Sequence, residues 1–204
     1  MRTAGLAIVI AALAVASCAQ VQGKLDLSVS TGAVIGKDVS QSTSAVSLSP
    51  HYSKLFFGSV RYHFNHLHAV EIDLGHTSTS QIFSRPPDTY TINADVFEYS
   101  GAYVLTPYHD HRLQPFLFAG IGGLHWSPNN QWIDQVQVDF GALKQNSLAF
   151  LYGGGADYRL WRRLALRVQY RGLIYRAPDF GVSNLFISGK DHMAEPAAGL
   201  VFKF

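Results

Sequence analysis

Charged residues are scarce in this sequence. Asp, Glu, Lys and Arg make up 15% of its 204 residues, well short of the ~25% of ordinary soluble domains. What charge there is nearly cancels, with 16 basic against 14 acidic side chains. That balance excludes the one-signed field that nucleic-acid binding needs. Cysteine is limited to Cys18, so there is no disulfide framework. Beyond the N-terminal segment, no run reaches the ~18 consecutive apolar residues of a spanning helix. A chain of this kind enters a membrane only as strands. Aromatics are abundant instead, with ten Tyr and thirteen Phe, and the length makes one domain the default.

The N-terminus reads as an export signal over residues 1–19. Arg2 supplies the positive charge, Ala4 to Ala16 is an apolar run too short to span, and Ser17-Cys18-Ala19 offers small residues for cleavage before Gln20. Val15-Ala16-Ser17-Cys18 also looks like a relaxed lipobox, which would leave Cys18 lipidated. Ordinary cleavage is favoured because Val15 stands where a leucine is usual. The mature domain is expected over 24–204.

Alternation with period two starts at once and recurs. Leu25, Leu27, Val29 and Thr31 oppose Lys24, Asp26, Ser28 and Ser30. Phe56, Gly58, Val60, Tyr62 and Phe64 oppose Leu55, Phe57, Ser59, Arg61 and His63, and a short turn leads to Val70, Ile72 and Leu74 against Glu71 and Asp73. Residues 93–106 set Phe97, Tyr99, Tyr103 and Leu105 against Glu98 and Ser100. The fifth strand, 114–126, is apolar on both faces and its sides cannot be assigned. Tyr152 to Tyr158 and Leu164 to Tyr170 complete the third hairpin, the latter set against Arg167 and Arg171. With the closing strand this makes eight. Their connections run long, short, long, short, long, short, long, with Arg85-Pro86-Pro87-Asp88 read as a strand breaker in the second long loop. Strand lengths of ~10–13 residues suit a tilted crossing of hydrocarbon.

The last segment, Pro196-Ala-Ala-Gly-Leu-Val-Phe-Lys-Phe204, carries the resemblance. Phe204, Phe202, Leu200, Ala198 and Pro196 share a face. It resembles the closing strand of bacterial outer-membrane β-barrels, in which a terminal aromatic after alternating apolar residues is what the insertion machinery reads. Gly199, Leu200, Phe202 and Phe204 are therefore assigned to an insertion signal for the barrel-assembly machinery. The whole pattern resembles the small eight-stranded barrels typified by the OmpA transmembrane domain and OmpX. Tyr152 to Leu160 and Leu164 to Pro178 also look like outer-membrane barrel proteins of environmental bacteria. The peptidoglycan-anchoring role of full-length OmpA is not expected, since residues 24–204 are all assigned to the barrel. The fold class is all-β: a transmembrane, eight-stranded, antiparallel, up-and-down barrel in the outer membrane.

An eight-stranded barrel is just wide enough for side chains to fill it. The polar face mixes Gly, Ala and Ser with charges that would be prohibitive against lipid. Arg61, Glu71, Asp73, Glu98, Asp157, Arg159, Arg167, Arg171 and Glu195, with Lys203, are expected to pair inside as a salt-bridge plug. Tyr62, Phe64, Tyr103, Tyr158, Trp161, Phe202 and Phe204 are expected to form an aromatic belt at the short-turn rim. Gly120, Gly122, Gly123 and Gly153 to Gly155 fall roughly opposite one another in neighbouring strands and permit tight curvature.

Other chemistry is thinner. His76 and Ser78 share a face at the outer end of the third strand, the spacing of a lipid A deacylase pair, but no acid on a neighbouring outer face is identifiable. His66, His68, His109, His111 and Asp110 gather at two neighbouring turns; solvated turn histidines are commoner than a metal site there. Trp132, Ile133, Val136, Val138 and Phe140 make the third loop apolar. Either strands five and six continue above the membrane as a protruding sheet, or these side chains fold over the barrel mouth.

The expected function is a non-enzymatic outer-membrane protein with a plugged lumen and surface-exposed loops, in a structural or surface-interaction role. Alternatives are a narrow conduit or binding site for small amphiphiles, as in the OmpW-like group, and a lipid A-modifying enzyme. No cofactor, metal or nucleic-acid partner is expected. The expected partners are outer-membrane lipid and lipopolysaccharide, the assembly machinery, and an extracellular ligand at the loops of a monomer.

Overall fold

The computed structural model describes residues 24–36, 39–40, 47–50, 53–85, 88–108, 111–134, 136–138, 141–182 and 190–204. The export segment with Cys18, together with His109, Asp110 and Phe140, lies outside the described residues. Eight long strands are β1 (Leu25–Gly36), β4 (Ser53–His63), β5 (His68–Arg85), β6 (Asp88–Leu105), β7 (Leu113–Ile133), β9 (Gln145–Arg159), β10 (Leu164–Arg176) and β11 (Lys190–Lys203). Three short ones are β2 (Val39–Ser40), β3 (Ser47–Pro50) and β8 (Val136–Gln137).

Each long strand pairs antiparallel with the long strands before and after it, and β1 pairs with β11. The ring is closed, so no spanning strand has an unpaired edge. The short turns and both ends of the barrel domain meet on one rim. There the Phe204 amide donates to the Leu25 carbonyl at 2.9 Å and the Thr106 amide to Leu67 at 2.8 Å.

Alternation turns one set of side chains outward. By register Ile72, Gly101, Ile121, Phe150 and Ile174 form a continuous row across five strands. Leu148 is 77% and Val29 72% exposed on the same outer face. So wide an apolar surface is expected only where lipid covers it. Below it lie the exposed rings of Tyr62, Phe64, Tyr103, Tyr158, Trp161, Phe202 and Phe204. Above it the outer face becomes polar at His76, Ser78, Asp95, His125 and Asn146. Between these limits β9 crosses from Leu148 to Tyr158, the length that a tilted strand needs to cross the hydrocarbon.

Two expectations about the loops are revised. The second long loop is mostly strand: β5 and β6 stay paired to Arg85 opposite Asp88. Above the membrane neither face meets lipid, so the apolar–polar contrast fades. The Thr, Ile, Phe and Tyr residues of 77–92 keep their preference for strand. Likewise β7 continues to Ile133, but its partner there is β6, with Tyr90 opposite Ile133, whereas β9 begins only at Gln145 opposite Trp126. The protruding sheet is thus β5–β6–β7, with β8 on β7 and with β3, itself paired with β2, on the other edge of β5. Val136 and Val138 are exposed and do not cover the mouth.

The fifth spanning strand, β7, acquires its faces. Gln114, Phe116 and Phe118 point in, while Leu117, Ala119 and Ile121 point out. The inner face is apolar because its rings carry guanidinium groups, as described below. Gly153, in the neighbouring β9, lies close to both β10 and β7: a Cβ there would lie 2.6 Å from the Phe118 ring and closer still to the Tyr170 carbonyl.

Candidate functional site: the barrel interior and its mouth

Alternation delivers polar side chains inward from every spanning strand, and they assemble in two layers. In the lower layer Arg61 Nε donates to Glu71 Oε2 at 2.7 Å. Arg167 reaches the same oxygen at 2.9 Å and holds Asp157 with two bonds, 2.8 and 3.0 Å. Paired N–H donors on one carboxylate are the strong form of this contact. Both guanidinium groups lie over the Phe116 ring, at 4.3 and 5.0 Å from its centroid. Nearest the rim, Asp26 Oδ2 is 2.9 Å from His63 Nε2 and 3.9 Å from Lys203 Nζ. Lys203 also donates to Gln114 Oε1.

The upper layer has a different balance. Arg171 contacts Glu98, lies 3.4 Å from Glu195 and 3.7 Å from Asp73, and stacks over Phe57 at 4.5 Å. One guanidinium therefore serves three carboxyl groups. The Ser100 hydroxyl donates to Asp73 at 3.0 Å.

Eight of the nine charged residues assigned to the interior from the sequence thus lie together. Arg159 does not join them: its guanidinium donates to the His111 carbonyl at the rim, at 3.3 Å. Asp26 and His63 are members that parity put on the inner face without revealing their pairing. Within this network the charges do not balance. Arg61, Arg167, Arg171 and Lys203 face Asp26, Glu71, Asp73, Glu98, Asp157 and Glu195, four cations against six carboxyl groups.

Above the charged layers the lumen turns mostly apolar, with Gln81 and the Tyr175–Asp191 pair also buried. Leu55, Phe83, Ile92, Leu124, Trp126 and Leu151 are fully buried there. Phe180, from the connection after β10, enters this layer and packs edge-on against Phe83 and Trp126 at 6.4 and 6.2 Å. Its segment is pinned from outside. Gln145 Oε1 accepts the Asp179 and Phe180 amides at 3.0 and 2.9 Å, and Leu143 donates to the Phe180 carbonyl at 2.8 Å. Phe180 itself has φ of 51°, a left-handed backbone unusual for a non-glycine residue. Nothing in the sequence around Ala177 to Asp191 singles it out.

The outer-face residues are also placed. Ser78 stands opposite Asp95, so an acid does lie on the neighbouring strand, contrary to the sequence reading. The Ser78 hydroxyl donates to Asp95 Oδ1 at 2.5 Å and Asn129 to Oδ2 at 2.8 Å. These two bonds hold the Asp95 carboxyl below its usual range. Ser78 is thereby bonded to the carboxylate, and not to His76. At the rim His68 Nδ1 pairs with the Tyr103 hydroxyl, and among the described residues no group of three His, Cys, Asp or Glu could hold a metal. In the closing strand Leu200, Phe202 and Phe204 face outward, while Gly199 sits inward against Ser30.

A closed ring of this size, apolar outside and salt-bridged within, has a close match among known families. The model of the outer membrane protein beta-barrel domain matches residues 5–193. The chain belongs to that family. Solved structures agree on the fold. OprG of Pseudomonas aeruginosa is 13% identical, with 90% of this chain and 96% of that one covered and a TM-score of 0.63. Neisserial surface protein A is 14% identical, covering 90% and 98%, with a TM-score of 0.54. Ail, the attachment invasion locus protein of Yersinia pestis, is 12% identical, covering 89% and 99%, at 0.52. No curated protein matches the sequence significantly.

Proposed function

We propose that this is a non-enzymatic, non-conducting outer-membrane protein whose plugged barrel presents the β5–β8 sheet for interaction outside the cell. One observation carries the reading: the lumen is filled from rim to mouth. Arg61, Arg167 and Arg171, then Leu55, Trp126 and Phe180, are all fully buried side chains across its section. A barrel closed in this way has no path for solutes, and its built-out feature is the sheet above the membrane. The 1–19 segment would export the chain. The outward Leu200, Phe202 and Phe204, with Gly199, would be read by the assembly machinery. An epitope inserted between Pro86 and Pro87 tests the orientation. It should be labelled on intact cells; labelling only after permeabilisation would overturn the reading.

A second reading, a binding site or conduit for small amphiphiles, has one observation in its favour. The upper lumen is largely apolar, and the buried Trp126 Nε1 has no hydrogen-bond partner there, an arrangement that a ligand with one polar atom would complete. Loading would require Phe180 to leave. Uptake of a fluorescent fatty acid by vesicles holding the wild type, but not by empty ones, would favour it.

A further inference from the structure

The outer face of the protruding sheet carries a pocket of about 570 Å³ lined by Ile82, Thr89, Thr91, Trp132 and Asp134, within the ~300–1,000 Å³ of small-molecule sites. Its construction is specific. A bulge in β7 where it passes Asn93 and Ala94 restores the outward phase, so Trp132 stands opposite Thr91 on the outer side. Asp134 closes the end in a left-handed turn with φ of 47°. That turn is tied to β6 by two bonds: the Asp134 amide donates to the Thr89 carbonyl at 3.0 Å, and the Thr89 amide to Asp134 Oδ1 at 2.9 Å. Thr91 is half-buried at the pocket wall, and Asp134 is exposed at its end.

We infer that this pocket binds a sugar ring, and that the ring is supplied by the core oligosaccharide of lipopolysaccharide in the same membrane. An indole face presents negative π density, which suits the C–H face of a pyranose. Threonine hydroxyls and a carboxylate oxygen at the rim suit its hydroxyl groups. Height selects the source. The apolar band ends near Leu74 and Phe97, the polar belt follows at Ser78 and Asp95, and Ile82, Thr91 and Trp132 continue above it on the same outer face. That is the layer in which saccharide attached to the outer-leaflet lipid lies, and the pocket opens sideways into it. The inference rests on the proposed orientation, with β5–β8 outside the cell.

The test is calorimetric titration of delipidated core oligosaccharide into the refolded barrel in detergent, with lipid A alone as the second arm. Wild type should bind the oligosaccharide; Trp132→Ala should weaken it at least tenfold and Thr91→Val several-fold, while Trp132→Phe should stay within a few-fold. Each variant must keep the heat-dependent gel mobility of a folded barrel. Equal affinity in Trp132→Ala and wild type would overturn the inference, as would binding of lipid A alone that is as tight and as dependent on Trp132. The epitope labelling above fails separately: an inward-facing hairpin would refute the orientation, whereas a labelled hairpin without oligosaccharide binding refutes only the pocket.

Discussion

Arg167→Met is the sharpest perturbation of the interior. The guanidinium makes three hydrogen bonds to carboxylates, one to Glu71 and two to Asp157, all between 2.8 and 3.0 Å. Methionine fills much of the same volume over Phe116 but neutralises neither carboxylate. Glu71 then keeps only Arg61 at 2.7 Å, and Asp157 is left with Arg61 and Lys203, both at 3.8 Å. Removing one partner from a buried ion pair costs about 3–5 kcal/mol. At ~1.4 kcal/mol per factor of ten, the folding constant should fall by roughly two to three and a half powers of ten. Glu195→Gln should behave oppositely. It removes a negative charge from a layer where three carboxyl groups share Arg171, and it adds N–H donors among acceptors. Its stability should lie within ~1 kcal/mol of wild type or above it. Reversible urea unfolding in lipid vesicles, followed by tryptophan fluorescence, measures both. A fall below ~1 kcal/mol for Arg167→Met, or a loss above ~2 kcal/mol for Glu195→Gln, would refute the charge arrangement.

Three further outcomes are expected. Phe180→Ala empties a fully buried site between Phe83 and Trp126 and should cost about 3 kcal/mol in the same unfolding assay, while the protein still folds as a barrel; an unchanged midpoint would place Phe180 outside the mouth. Ser78→Ala removes the leading cause of the depressed Asp95 carboxyl, so its NMR titration should move up toward ordinary aspartate. A group depressed by folding contributes stability above its unfolded value and loses it as pH falls through the folded one; wild type and variant should therefore differ at neutral pH and converge in acid. Gly153→Val sets a Cβ against the Tyr170 carbonyl as well as against the Phe118 ring and should destabilise by about 1–3 kcal/mol; an unaffected variant would mean that β9 and β10 do not approach so closely there.

Much of this was legible in the residues. Period-two alternation identified the eight spanning strands, and parity put Glu71, Asp157, Arg167 and Arg171 on the inner face, because lipid contact enforces the contrast between faces. Where lipid ends, so does the signal. Residues 77–85 and 88–92 continue as strand although their polarity reads as loop, and the pairing of upper β7 with β6 depends on a bulge that no alternation reveals. In β7 the inner face is apolar because Phe116 supports two guanidinium groups, so the contrast disappears inside the membrane as well. Pairing partners were the least readable feature. Arg159 has the inward parity of its neighbours yet sits too close to the rim, while Phe180 reaches the interior from a connection with no period at all.

The most direct measurement is conductance of the purified barrel in planar bilayers. A lumen filled from Arg61 to Phe180 predicts a baseline indistinguishable from protein-free membrane. Stable, stepwise channels in the wild-type protein would contradict the plugged barrel on which the proposed function rests.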